Sequence, residues 1–156
     1  AQERALWYQY YFHGERGRAG LQANRRELCR LLWQLWSPNW AFDEATFERT
    51  AASFDNPDFV DVVVHSYRHR YGYAPGDPAL EDIERQLTRQ PPISVPTVAL
   101  HGEGDGIWPA TLAAPQARFF TGPYASRVIP VVGHNVPQES PALFADAVLE
   151  LTAATT

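Results

Sequence analysis

The sequence predicts an α/β chain, a helical first part followed by the β-α-β-α tail of an incomplete parallel sheet. Two observations set this class. Val95–Leu100 and Arg127–Val132 are short apolar runs rich in β-branched residues and bounded by Pro and Gly, the pattern of buried strands. Residues 1–92 instead carry apolar residues at helical spacing, and the composition changes at Gln90-Pro91-Pro92. The incompleteness rests on a count. Strands buried on both faces need neighbours, a parallel sheet needs helices on both sides, and two strands supply neither. Pro91 is therefore the internal boundary, between a region 1–90 and a region 91–156.

The elements run in order from the N-terminus. Ala1–Phe12 (A-Q-E-R-A-L-W-Y-Q-Y-Y-F) is crowded with aromatics and reads like the inside of an element. The chain also has no methionine, a hint that it does not open on a natural start. Gly14, Gly17 and Gly20 are expected to loosen the chain after this aromatic segment. A helix then places Leu21, Leu28, Leu31, Leu32 and Leu35 on one side, until Ser37-Pro38-Asn39 stops it. Asp43 is an N-cap, with Phe42 and Phe47 as a hydrophobic staple around it. Asn56-Pro57 starts a helix over Asp58–Tyr71, with Phe59, Val60, Val63, Val64 and Tyr67 at helical spacing. Its Val62-Val63-Val64 run also suits a short strand. After a Gly72–Gly76 loop, Asp77-Pro78 caps a helix with Leu80, Ile83 and Leu87 on one face. Past Pro91 come strand, loop, a helix or irregular segment, strand, loop and a closing helix. That helix takes Ser140 as N-cap and Leu143, Phe144, Ala147, Val148 and Leu151 as its inward face.

Bulk properties exclude several classes. The chain has 156 residues, enough for one core-bearing domain. A net charge of −5 without a Lys/Arg cluster argues against a nucleic-acid surface. The single Cys29 excludes an internal disulfide, and its apolar helical surroundings make it a buried thiol rather than a nucleophile. No run approaches the roughly 18 apolar residues of a membrane span, and no signal-peptide pattern opens the chain. The expected setting is cytoplasmic, with no membrane partner.

Each predicted strand delivers one titratable residue just past its C-terminal end, Asp105 after the first and His134 after the second. Sites in open α/β sheets collect at those ends. An acid followed by a histidine in Gly-flanked loops suggests an orienting carboxylate and a general base. Asp105 in Gly-Asp-Gly also suits a plain turn, and Glu103 is the alternative acid. His134 could equally be a loop histidine bonded to backbone. His65 and His69 lie four apart, but no third ligand accompanies them, so no metal is expected. Trp33, Trp36 and Trp40 read as packing or the wall of an apolar cavity.

On these residues the chain resembles the C-terminal half of an α/β-hydrolase of the epoxide hydrolase and haloalkane dehalogenase branch. V-P-T-V-A-L-H-G-E-G-D is similar to the segment carrying the triad acid, which falls on Asp105. V-I-P-V-V-G-H-N-V-P-Q-E-S-P is similar to the loop carrying the triad histidine, which falls on His134. Residues 1–90 resemble the helical cap inserted before the last two strands, and residues 91–156 the end of the core. Within the cap, W-Y-Q-Y-Y-F and H-S-Y-R-H resemble the segments bearing two catalytic phenols, falling on Tyr8 and Tyr67; Tyr10, Tyr11, Tyr71 and Tyr73 lie close by. The family's nucleophile precedes the acid and histidine, and neither G-x-S-x-G nor H-D-W-G occurs here. The resemblance thus implies a nucleophile on a missing N-terminal half, a small apolar substrate such as an epoxide, and no cofactor. It also leaves haloalkane dehalogenase and serine esterase or lactonase chemistry open. The non-enzymatic alternative is an inactive half that binds a partner chain or forms a homo-oligomer through its exposed sheet edge.

Overall fold

The structure, a computed structural model, describes residues 2–153. It divides into two compact units, one from residues up to Trp33 plus Ala41–Asp82, the other from Gln34–Trp40 plus residues from Ile83 onward.

The first unit is helical. Helices α1 (Gln2–Ala5) and α2 (Trp7–Tyr11) bring in the aromatic segment, and α3 spans Glu15–Ala23. The glycines expected to loosen the chain lie at its cap (Gly14) and within its turns (Gly17 and Gly20). They are there for proximity: a side chain on Gly17 would put its Cβ 1.8 Å from the Tyr11 carbonyl oxygen. The helix expected through Leu21 and Leu35 is two helices. Asn24 leaves helical geometry at φ −136°, ψ 46°, its side chain donating to the Gly20 carbonyl, and α4 (Arg25–Trp36) starts after it. The inner face of α4 is carried by Leu32 and Trp33, whereas Leu31 and Leu35 are exposed.

The staple forms as its sequence implies. Asp43 accepts from the Thr46 N–H at 2.7 Å and opens α5 (Glu44–Ala51), with the Phe42 and Phe47 rings stacked 6.2 Å apart. Phe47 is fully buried, a burial that contributes on the order of 1.5–3 kcal/mol. The valine run lies within α6 (Phe59–Arg70). Asn56 accepts from Asp58 N at 3.0 Å, but Pro57 stays outside the helix, which begins two residues later than its sequence signal. Asp77 accepts from Ala79 N, and a 3₁₀ turn at Pro78–Leu80 leads into α7 (Glu81–Thr88).

The second unit holds a two-stranded parallel sheet, β1 (Thr97–Gly102) with β2 (Tyr124–Ile129), in the register Thr97↔Tyr124 to Gly102↔Ile129. Both strands are displaced from their predicted spans. β2 ends before Pro130 because proline has no N–H to give a ladder and Val131 turns to φ 69°. The strands are not fully buried either: among the described residues each has one neighbour, and Val128 remains half exposed. Two 3₁₀ turns, Ala110–Leu112 and Ala114–Phe119, join them. After β2 come the short α8 (Val136–Glu139), which the sequence pattern does not announce, and α9 (Pro141–Ala153). Of the apolar positions expected inward on α9 only Ala147 is buried, with Phe144 and Val148 41% and 46% exposed. No helix among the described residues is long and apolar enough to cross a membrane.

Candidate active site

Parallel pairing sets the two C-terminal strand ends side by side, with Gly102 opposite Ile129. The loops that leave them are pressed together. A Cβ on Gly102 would stand 2.0 Å from the Gly133 carbonyl oxygen, so glycine alone permits the approach. Glu103 and Gly104 donate their N–H groups to the Ile129 and Val132 carbonyls at 2.9 and 2.8 Å, tying the acid loop to the histidine loop.

Across that contact the Asp105 Oδ2 lies 2.8 Å from the His134 Nδ1. The other carboxylate oxygen, Oδ1, accepts from the Ile107 and Trp108 N–H groups at 2.7 and 2.9 Å, so both oxygens are held and the carboxylate cannot rotate away. The Asp105 side chain is 11% exposed and that of His134 33%. Burial pushes the Asp105 carboxyl upward. The hydrogen bonds from His134 and from the Trp108 and Ile107 amides outweigh it and hold the group below its ordinary value. With Nδ1 on Asp105, Nε2 is the ring nitrogen not taken up by the carboxylate. The Trp36 indole packs edge-on against the imidazole, centroids 5.6 Å apart. A cavity of about 320 Å³ opens beside the pair, lined by Leu100, His101, Asp105, Trp108, Gln116 and His134 among others. Glu103, the alternative acid, turns elsewhere, accepting from the Val131 N–H at 3.4 Å.

Tyr8 and Tyr67 belong to the helical unit, and they meet there edge to face with centroids 5.6 Å apart. Tyr8 is 4% exposed. Burial, then the neighbouring Tyr8 phenol, pushes the Tyr67 hydroxyl up to about 12, so it is a neutral donor throughout the physiological range. Gln9 was not singled out by its sequence position. It is buried, accepts from the Tyr71 hydroxyl at 2.8 Å and donates to the Tyr8 oxygen at 3.1 Å. That chain links the Tyr8 hydroxyl to Tyr71 through a single amide. Tyr10 and Tyr73 are exposed, and Tyr71 is partly so.

Trp33 is packing, edge-on to Phe42 and Phe47. His65 and His69 stack 6.0 Å apart, and among the described residues no group of three or more His, Cys, Asp or Glu is gathered as a metal site. Burial pushes the Cys29 thiol up to about 11, which leaves it a weak nucleophile at neutral pH.

No protein-family model matches the sequence, and no curated protein does. Among solved structures the chain is similar to a "putative epoxide hydrolase" from Klebsiella pneumoniae subsp. pneumoniae, at 40% identity and a TM-score of 0.91. The alignment covers 96% of this chain and 50% of that one, so the chain spans about half the length of the protein it matches. With that similarity over nearly all its residues, the chain has the fold of the C-terminal half of an epoxide hydrolase-like protein.

Proposed function

We propose that the chain is the cap and final core segment of an epoxide hydrolase, with residues 1–90 as the cap and 91–156 as the core portion. A carboxylate on the N-terminal half attacks an epoxide carbon. The carbon–oxygen bond breaks, and a covalent ester to the enzyme forms. Tyr8 and Tyr67 donate hydrogen bonds to the departing oxygen, and one of them gives it a proton, becoming a phenolate. His134 Nε2 then takes a proton from water as the hydroxide adds to the ester carbonyl. Collapse expels the diol alkoxide. The two protons of that water finally reside on the diol and the phenolate, which restores the enzyme. Asp105 fixes the imidazole tautomer and stabilises its protonated form.

The observation that carries this is the 2.8 Å contact between Asp105 Oδ2 and His134 Nδ1, with both carboxylate oxygens held. The paired phenols favour epoxides over haloalkanes or carboxylic esters, since they supply two neutral donors suited to a nascent alkoxide. The substrate is a small, largely apolar epoxide, and the mechanism calls for no cofactor.

The test is single-turnover kinetics of the full-length protein with a styrene-type epoxide. His134→Ala should form the ester at the wild-type rate and hydrolyse it roughly 10²- to 10⁴-fold more slowly, so that it accumulates to one equivalent detectable by mass. Tyr8→Phe and Tyr67→Phe should slow ester formation instead. Rapid ester breakdown without His134 would refute the mechanism, and a serine at the upstream nucleophile position would redirect it to esters.

A further inference from the structure

The loop that carries His134 contains no regular structure to hold it. It leaves β2 through a γ-turn in which Val132 N–H donates to the Pro130 carbonyl at 2.8 Å around Val131, at φ 69°. A left-handed conformation at a β-branched residue costs on the order of 1–3 kcal/mol, so the surrounding contacts must impose it. The next three residues, Gly133, His134 and Asn135, each carry a part-buried N–H that needs an acceptor.

Two side chains supply all three. Glu139 Oε2 accepts from Gly133 N at 2.7 Å and its Oε1 from Asn135 N at 2.9 Å. Ser37 Oγ accepts from His134 N at 3.0 Å and from Asn135 Nδ2 at 3.2 Å, and donates to Glu139 Oε1 at 2.7 Å. Ser37 is 1% exposed. It lies just past α4, whose last residue, Trp36, accepts from Gly106 N at 2.9 Å and packs on the His134 ring. One short segment thereby grips both the acid loop and the histidine loop. Gly133 makes room for it, since a Cβ there would stand 2.7 Å from Ser37 Oγ.

We infer that Ser37 and Glu139 are positioning residues that hold the His134 imidazole in register with Asp105 for the water-activating step, an inference that rests on the proposed hydrolase reading. The chemistry is specific. Every group facing Glu139 in this network is a donor, so an ionised carboxylate accepts all of them and an amide of the same size cannot. Ser37 must accept and donate at once, which an alanine cannot do.

The test compares Ser37→Ala, Glu139→Gln and Asn39→Ala in the full-length protein. Asn39 donates to the Val131 carbonyl at 3.1 Å, so its loss loosens the same loop without touching the His134 support. Ser37→Ala and Glu139→Gln should slow ester hydrolysis on the order of 10²-fold, as expected for a sub-ångström to 1 Å misplacement, and leave ester formation at the wild-type rate. Both should also weaken the downfield imidazole Nδ1 proton resonance of His134, which Asn39→Ala should retain. Wild-type hydrolysis in either variant, or equal loss in both steps, would overturn the inference. If the unmodified protein forms no ester with an epoxide, the hydrolase reading fails. The imidazole resonance then decides: lost in the two variants, it sustains the positioning role, and unchanged, it ends it. Glu139→Gln alters no volume and carries the test should Ser37→Ala fail to fold.

Discussion

At the scale of the residue, the carboxylate of Asp105 combines orientation with stability. Its ionised form is stabilised in the folded state by His134 and two backbone amides, against the opposing pull of burial. A carboxyl held below its unfolded value of about 3.9 contributes stability that is fully present above that pH. The contribution is lost as pH falls through that value towards the lower folded-state one. Asp105→Asn removes the titration. In urea denaturation followed against pH, the gap in stability between wild type and Asp105→Asn should therefore narrow below about pH 4. A constant gap would mean that the carboxylate draws nothing from its three donors. The pair itself was legible from sequence because each partner follows a β-branched run. Ser37 was not, since only folding carries a residue at a helix end to a loop 97 positions away.

At the scale of the element, α2 and α3 show how a local rule is reversed by contact. Replacing glycine by alanine within a helix ordinarily stabilises by about 0.5–1 kcal/mol. At Gly17 the added methyl would meet the Tyr11 backbone oxygen at 1.8 Å, and backbone cannot step aside without moving a helix. Gly17→Ala should destabilise by about 1–3 kcal/mol, read as a lowered denaturation midpoint. Gly20→Ala should cost less, because the atom in its way is the tip of the Tyr11 side chain. A stabilising Gly17→Ala would show that the helices are not in this contact. The same tension explains the helical region's misread boundaries. Glycines and Asn24 are punctuation by local propensity, yet here they are spacing between packed segments. Caps such as Asp43 and Asp77 need only neighbours in sequence, and they formed where the pattern put them.

At the scale of the whole molecule, the second unit is thinly supported. Its buried apolar residues are few, Ile107, Ala113, Ile129, Val136 and Ala147, while Phe144, Val148 and Leu149 of α9 stay exposed. Val98, Leu100, Phe144, Val148 and Leu151 line an open apolar groove of about 360 Å³. Such a surface with a strand edge beside it favours association. In light scattering, the isolated 156-residue chain should run heavier than its 17.6 kDa monomer. It should also leave a styrene-type epoxide intact. A stable monomer would mean that the sheet needs no further strands, and turnover would mean that the nucleophile lies within the chain.

Sequence alone determined the alternation of helical and strand periods, the N-caps at Asp43 and Asp77, and the placement of an acid and a histidine after consecutive apolar runs. These depend on residues close together in the chain or on the general geometry of parallel sheets. The tertiary structure decided where β2 ends, which face of α4 turns inward, why Gly17 has no side chain, and which hydroxyl supports the His134 amide. Each of those is settled by an atom distant in sequence, and no local propensity carries that information.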